Sequence, residues 1–302
     1  DGENRIHAVR YTPDDGKVKA VVQVVHGMAE YVERYEELAK YLTDRGILVT
    51  GEDHLGHGKS VSEGGSFGYF CEQDPATVVV RDVHRLKKIT EEQYPQVPYI
   101  ILGHSMGSFI ARNYLCRYGS GIGGAVIVGT GMQPAGLIFA SKAMAGIQKL
   151  FCGSKHVSHF IDKAAFGGYN KRIDSPRTSS DWLSRNTENV DRYIEDELCG
   201  FTFTVNGFQT LFELIRRLQK QENLEKVPQN LPILMVSGAE DPVGDYGKGV
   251  HKACDSLKRA GVKNITVKLY ENDRHELLNE DDAETAMEDI WQWICKEIPG
   301  VA

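Results

Sequence analysis

The sequence has no Cys-x-x-Cys pair, no run of about eighteen apolar residues and no excess of positive charge, and each absence closes off a class of function. Its six cysteines, Cys71, Cys116, Cys152, Cys199, Cys254 and Cys295, are scattered singly. Zinc and dithiol redox chemistry therefore lack support, and reduced thiols in a cytoplasmic setting are expected. No transmembrane helix is expected, and the N-terminus carries no signal-peptide pattern. Asp1-Gly2 instead favours a hairpin turn, so the given chain is expected to start within a β-hairpin whose first strand is missing. Acidic residues outnumber basic ones 42 to 35, for a net charge of -7. That balance argues against nucleic acid or an anionic membrane as the main partner and leaves neutral lipid open. The pairs His54/His57 and His156/His159 stand at i,i+3 without a thiolate or a suitable Glu, so no metal site is expected.

What is present is a soluble-protein balance, 41% hydrophobic and 25% charged, over 302 residues. Arg5–Tyr11 alternates, Pro13–Gly16 turns and Lys19–Val25 is β-branched, which predicts an edge hairpin feeding a central strand. A helix over Tyr31–Arg45, a strand at Ile47–Thr50 and a glycine-rich loop through Asp53–Gly58 follow. Asp74 and Pro75 read as the N-cap and first residue of a helix with Val79, Val83, Leu86 and Ile89 at helical spacing. Further strands are expected at Tyr99–Gly103, Ala125–Val128, Pro232–Val236 and Ile265–Tyr270. Helices are expected after Met106, over Lys248–Ala260 and at the C-terminus, with Met287, Ile290, Trp291 and Ile294 on one stripe. The alternation implies an α/β fold with a mostly parallel central sheet and helices on both faces. Residues 131–230 hold helical segments without a convincing central strand, so the expected organisation is a core of 1–130 and 231–302 interrupted by a mainly helical cap. In that cap Phe208, Leu211, Phe212, Ile215 and Leu218 form an apolar stripe, most of it better suited to packing the cap onto the core than to substrate contact, Phe201 and Phe203 add aromatic bulk, and Trp182 is open to either role.

Two segments match Gly-x-Ser-x-Gly: Gly64–Gly68 around Ser66 and Gly103–Gly107 around Ser105. Only the second follows an apolar run and precedes a helix, which is the context that presents a serine Oγ at a sheet edge, so Ser105 is the expected nucleophile. A serine hydroxyl needs a base and the base needs an orienting acid. Asp241 and His275 follow late strands, giving the order Ser105, Asp241, His275. His251 falls within a predicted helix and reads as solvent-facing, and Asp245, Asp273 and Glu240 compete less well with Asp241. For the tetrahedral oxyanion the backbone N–H groups of Met28 and Met106 are expected, with His26 bracing the loop.

These segments together resemble the monoacylglycerol lipase and lysophospholipase branch of the serine α/β-hydrolases, grouped with serine aminopeptidases. The matching pieces are Val25–Glu30 with Arg34-Tyr35, Asp53–Ser60, Gly103–Gly107, Asp241 and His275. The resemblance implies an α/β-hydrolase fold and hydrolysis of a single-chain acyl ester through an acyl-serine, without a cofactor. It also leaves transient contact of the cap with a membrane or micelle open. Aminopeptidase action stands as an alternative, with Glu188, Glu195, Asp196 and Glu197 as possible partners for a substrate ammonium, although a solvated acidic face is the commoner explanation. Thioester hydrolysis on the same triad is a second alternative, and a non-catalytic binding protein of the same fold a third.

Overall fold

At the centre of the fold is Ala20–Val25 (β2), buried at every position because strands flank it on both sides. The computed structural model describes residues 4–301. The hairpin expected at Asp1-Gly2 lies outside them. In chain order the remaining elements begin with β1 (Ala8–Tyr11), α1 (Glu36–Thr43), β3 (Ile47–Glu52), α2 (Pro75–Gln93), β4 (Tyr99–His104), α3 (Met106–Tyr118) and β5 (Gly124–Val128). Next come α4 (Ala135–Cys152), α5 (His159–Phe166), α6 (Thr187–Glu195), α7 (Val205–Leu218) and α8 (Gln221–Leu224). The chain ends with β6 (Ile233–Gly238), α9 (Lys248–Arg259), β7 (Ile265–Tyr270) and α10 (Ala283–Glu297).

The seven strands form one sheet in the order β1-β3-β2-β4-β5-β6-β7, parallel throughout except for β1. This bears out the α/β, mostly parallel expectation. The edge hairpin is corrected: β1 pairs antiparallel with β3, because both sides of β2 are taken by β3 and β4. Strand alternation sorts the core into two layers. Val22, Val24, Ile100, Leu102, Val126 and Val128 meet α1 and α10, while Val21, Val25, Ile101, Ile127 and Met235 meet α2, α3 and α9.

Local differences have local reasons. The first turn of the predicted 31–45 helix is a 3-10 turn, Val32–Tyr35. Asp74 precedes α2 but makes no side-chain cap, since its carboxylate accepts from Arg217 of α7 at 2.8 Å. Of the expected α2 stripe Val79 and Val83 are buried, Ile89 is exposed, and Ala76 and Val80 are buried besides. On α10 the buried tryptophan is Trp293, with Trp291 only half-buried. Between β5 and β6 lie α4 to α8 with no strand of the sheet, and α7 packs on α3, where Asn113 Nδ2 donates to Leu214 O at 3.0 Å.

The β4–α3 turn needs glycine on both sides. A Cβ on Gly107 would stand 1.9 Å from Val25 O, and one on Gly103 would stand 2.4 Å from Gly107 O. Gly136 on α4 meets nothing within 4 Å. Gly107→Ala is therefore expected to cost about 3 kcal/mol or more of stability, whereas Gly136→Ala is expected to be neutral or to gain up to about 1 kcal/mol. Urea unfolding midpoints of the two variants check this, and equal midpoints would contradict the close approach.

Candidate active site

Ser105 joins β4 to α3 at φ 54° and ψ -121°, a conformation a non-glycine residue rarely adopts. The cost, about 1–3 kcal/mol for such a residue, is held by the surrounding structure. Ser105 N–H donates to Val128 O at 3.0 Å, and its carbonyl accepts from Ser108 N–H at 2.9 Å and Ser108 Oγ at 2.6 Å. The rival Ser66 sits on an exposed loop outside any strand or helix.

His275 and Asp241 come together as expected. Nδ1 of His275 lies 3.0 Å from Oδ2 of Asp241, and both residues are buried. A carboxylate only accepts, so Nδ1 carries a proton, and in the neutral tautomer of the ring the lone pair is then on Nε2. The other acceptor sites of Asp241 are filled by Val243 N–H (2.8 Å) and Ser237 Oγ (3.2 Å), which fix the carboxylate plane. Ser105 and His275 line one cavity, and among the described residues no hydrogen bond yet joins them. The competing groups are engaged elsewhere: His251 is exposed on α9, Glu240 is exposed, Asp245 faces Lys252 at 4.0 Å, and Asp273 accepts from Arg185 at 2.5 Å.

Met28 and Met106 line the same cavity, Met106 as the first residue of α3, where its N–H has no partner within the helix. The Met28 peptide is oriented by His26. His54 N–H donates to His26 Nε2 at 3.0 Å, which leaves the ring proton on Nδ1 to donate to Gly27 O at 2.8 Å. Gly27 C=O and Met28 N–H share one trans peptide and point in opposite directions, so Met28 N–H is turned away from His26.

The cavity holds about 800 Å³ and its walls are mostly apolar: Phe109, Ile138, Met144, Phe166, Leu211 and Phe212 contribute. Leu211, Phe212 and Ile215, assigned to packing by their spacing, are buried against the core and line the cavity as well.

Residues 16–282 match the model of the serine aminopeptidase (S33) family. The chain belongs to that family. It is similar to the monoglyceride lipase of Mus musculus, 29% identical over 96% of this chain and 86% of the relative. The monoacylglycerol lipase of Mycolicibacterium smegmatis is 27% identical over 95% and 92% of the two chains. A thermostable carboxyl esterase from Bacillus coagulans, solved in complex with glycerol, superposes with a TM-score of 0.91 at 31% identity over 98% of this chain and 96% of the other. The protein is thus a serine hydrolase with the α/β-hydrolase fold, as the motif resemblance implied.

Within this S33 family member one site neighbour, Trp182, was left open between packing and substrate contact by the sequence reading, and others escaped it. The ring of Trp182 lies 5.1 Å from that of His275, and Glu30, His104 and Glu276 also line the cavity. Glu30 stood inside the family-like Val25–Glu30 segment and Glu276 beside His275, so proximity to a motif was the only available signal. No helix among the described residues is long and apolar enough to cross a membrane.

His26, His54 and His57 form a buried cluster, with ring centroids 4.1 Å (26–54), 5.2 Å (26–57) and 6.1 Å (54–57) apart. Burial pulls all three below the ordinary 6.5, His57 to about 3. The unfolded chain therefore binds protons below pH 6.5 that the native state refuses, and stability declines as pH falls from 6.5 towards 3. His57→Phe is expected to lose about 2 kcal/mol less than the wild type between pH 7.5 and 5. Urea titrations at both pH values read this, and parallel losses would refute it.

Proposed function

We propose that the protein cleaves single-chain acyl esters, monoacylglycerols foremost, through an acyl-Ser105 intermediate. The observation that carries this reading is the polar set of Ser105, His275, Met28 and Met106 on one mostly apolar cavity of about 800 Å³, a volume suited to a small lipid. In the proposed reaction Ser105 Oγ attacks the ester carbonyl carbon while its proton passes to His275 Nε2. Asp241 holds the imidazolium, and the oxyanion receives the N–H groups of Met28 and Met106. Collapse breaks the C–O bond to glycerol, which leaves with the proton from His275. Water then repeats the sequence and releases the fatty acid.

Support for an ester over an aminoacyl amide comes from the carboxylates. Glu188, Glu195, Asp196 and Glu197 do not line the cavity, and Asp196 accepts from Tyr31 Oη at 2.8 Å. Glu30 and Glu276 line it but are paired with Arg34. A series of 1-monoacylglycerols and aminoacyl-4-nitroanilides assayed side by side should give turnover on the glycerol esters with an optimum chain length. Turnover confined to the aminoacyl amides would reverse the assignment.

Residues 131–230 are proposed to act as the cap over this cavity. Its helices α4 and α5 expose Leu137, Phe139, Ile147, Leu150, Phe151 and Phe160, an apolar group fitted to transient contact with a lipid surface. The double variant Leu150→Ser/Phe151→Ser is expected to lose several-fold in rate on micellar monooleoylglycerol while keeping its rate on soluble 4-nitrophenyl butyrate. Equal effects on both substrates would count against surface contact. The six free cysteines support a reducing, cytoplasmic location.

A further inference from the structure

Beside the proposed proton path lies a buried ion cluster that the path does not use. Arg34 donates through Nη1 to Glu30 Oε2 (2.8 Å) and Glu276 Oε1 (2.7 Å), and through Nη2 to Glu276 Oε2 (2.8 Å) and Asn189 Oδ1 (3.3 Å). Glu30 and Glu276 are each 3% exposed. Burial pushes both carboxyls up, but the partners win and hold them low: chiefly the His104 hydrogen bond and the Arg34 charge for Glu30, and the Arg34 charge for Glu276.

Every arm of the cluster ends on a different piece of the site. Glu30 Oε1 accepts from Gly27 N–H at 2.5 Å while His26 holds the Gly27 carbonyl, so the residue preceding Met28 is clamped at both its N–H and its C=O. Tyr35 Oη donates to the same Glu30 oxygen at 2.8 Å and stands 2.9 Å from His104 Nδ1. His104 directly precedes Ser105, and its Nε2 donates to the His275 carbonyl at 3.1 Å. Glu276 directly follows His275, and Asn189 of α6 donates to its Oε2 at 2.6 Å.

Proton counting closes the cluster. Tyr35 has one hydroxyl proton and gives it to Glu30, so the contact with His104 is made by an Nδ1–H, and His104 carries protons on both nitrogens. Burial works against that charge, and Glu30 outweighs it, raising His104. Two carboxylates then face two cations. Buried ion groups of this kind are weak stabilisers because desolvation offsets their attraction, so stability alone does not account for four charged groups converging here.

We propose that Glu30, Arg34, His104 and Glu276 are positioning residues that hold the Met28 peptide, the Ser105 turn and His275 at fixed mutual distances, with Asn189 tying α6 into the same set. The proposal rests on the reading that Ser105 and His275 carry acyl transfer, and it concerns alignment rather than substrate contact.

The test is the double variant Arg34→Met/Glu276→Gln, which removes one charge of each sign and so leaves no uncompensated buried ion. A second variant, Asn189→Leu, breaks only the α6 tie and covers the case in which the double variant fails to fold. On 4-nitrophenyl acetate kcat is expected to fall about 100-fold in the double variant and by a smaller factor in Asn189→Leu, with KM within about threefold of wild type in both. In parallel, hydrogen exchange at Gly27, whose N–H the cluster holds, and in residues 273–277 should speed up while exchange in β2 and β4 stays unchanged. Wild-type kcat and unaltered exchange in a folded variant would overturn the proposal. The exchange readout needs no turnover, so an enzyme inactive on esters would sink the functional reading and still leave this test decisive.

Discussion

The close approach of α3 to β2 and β4 is the constraint on which the site depends. With no side chain at Gly103 or Gly107, the helix can start immediately after the strand, and the residue between them is driven to φ 54°. That backbone sets Ser105 on the cavity wall and leaves the Met106 N–H at a helix start with no intrahelical partner. The same parallel sheet sends the loops after β4, β6 and β7 out from one edge, which is why residues as far apart as 105, 241 and 275 can be neighbours.

Much of this was legible in the sequence because it rests on local rules. Apolar runs ended by glycine marked β2, β4, β5 and β6, and β7 begins and ends where its alternation does. Flanking context separated Ser105 from Ser66. The partner of β1 was not legible, since an alternating strand after a turn suits either neighbour and only the occupancy of β2 decides. Asp74 likewise looked like a cap, but a salt bridge to a helix more than a hundred residues later overrode the local preference. The Glu30–Arg34–Glu276 cluster was invisible for the same reason: Glu30 and Arg34 are four residues apart, but Glu276 lies 242 residues beyond Arg34, and nothing in the local spacing points across that gap.

The insertion between β5 and β6 has two physical characters. Residues 181–189 are tied to the His275 loop, with Glu276 N–H donating to Leu183 O at 2.6 Å and Arg274 donating to the carbonyls of Asp181 and Ser184 at 2.7 and 3.0 Å. Helices α4 and α5 instead turn large apolar side chains outward, Leu150 and Phe151 each 84% exposed. One part of the proposed cap is thus anchored to the base, and the other is shaped for apolar surroundings. On the proposed reading, one segment would orient the histidine loop and the other would serve lipid access.

The proposed function stands or falls with a preformed acyl-transfer site at Ser105. Its most direct test is a crystal structure of the protein with an alkyl trifluoromethyl ketone, which forms a reversible tetrahedral adduct. The account predicts a bond from Ser105 Oγ to the ketone carbon, the resulting oxyanion within hydrogen-bond reach of Met28 N and Met106 N, and the alkyl chain along Phe109, Leu211 and Phe212. An adduct on another residue, or an oxyanion directed away from both amides, would contradict it.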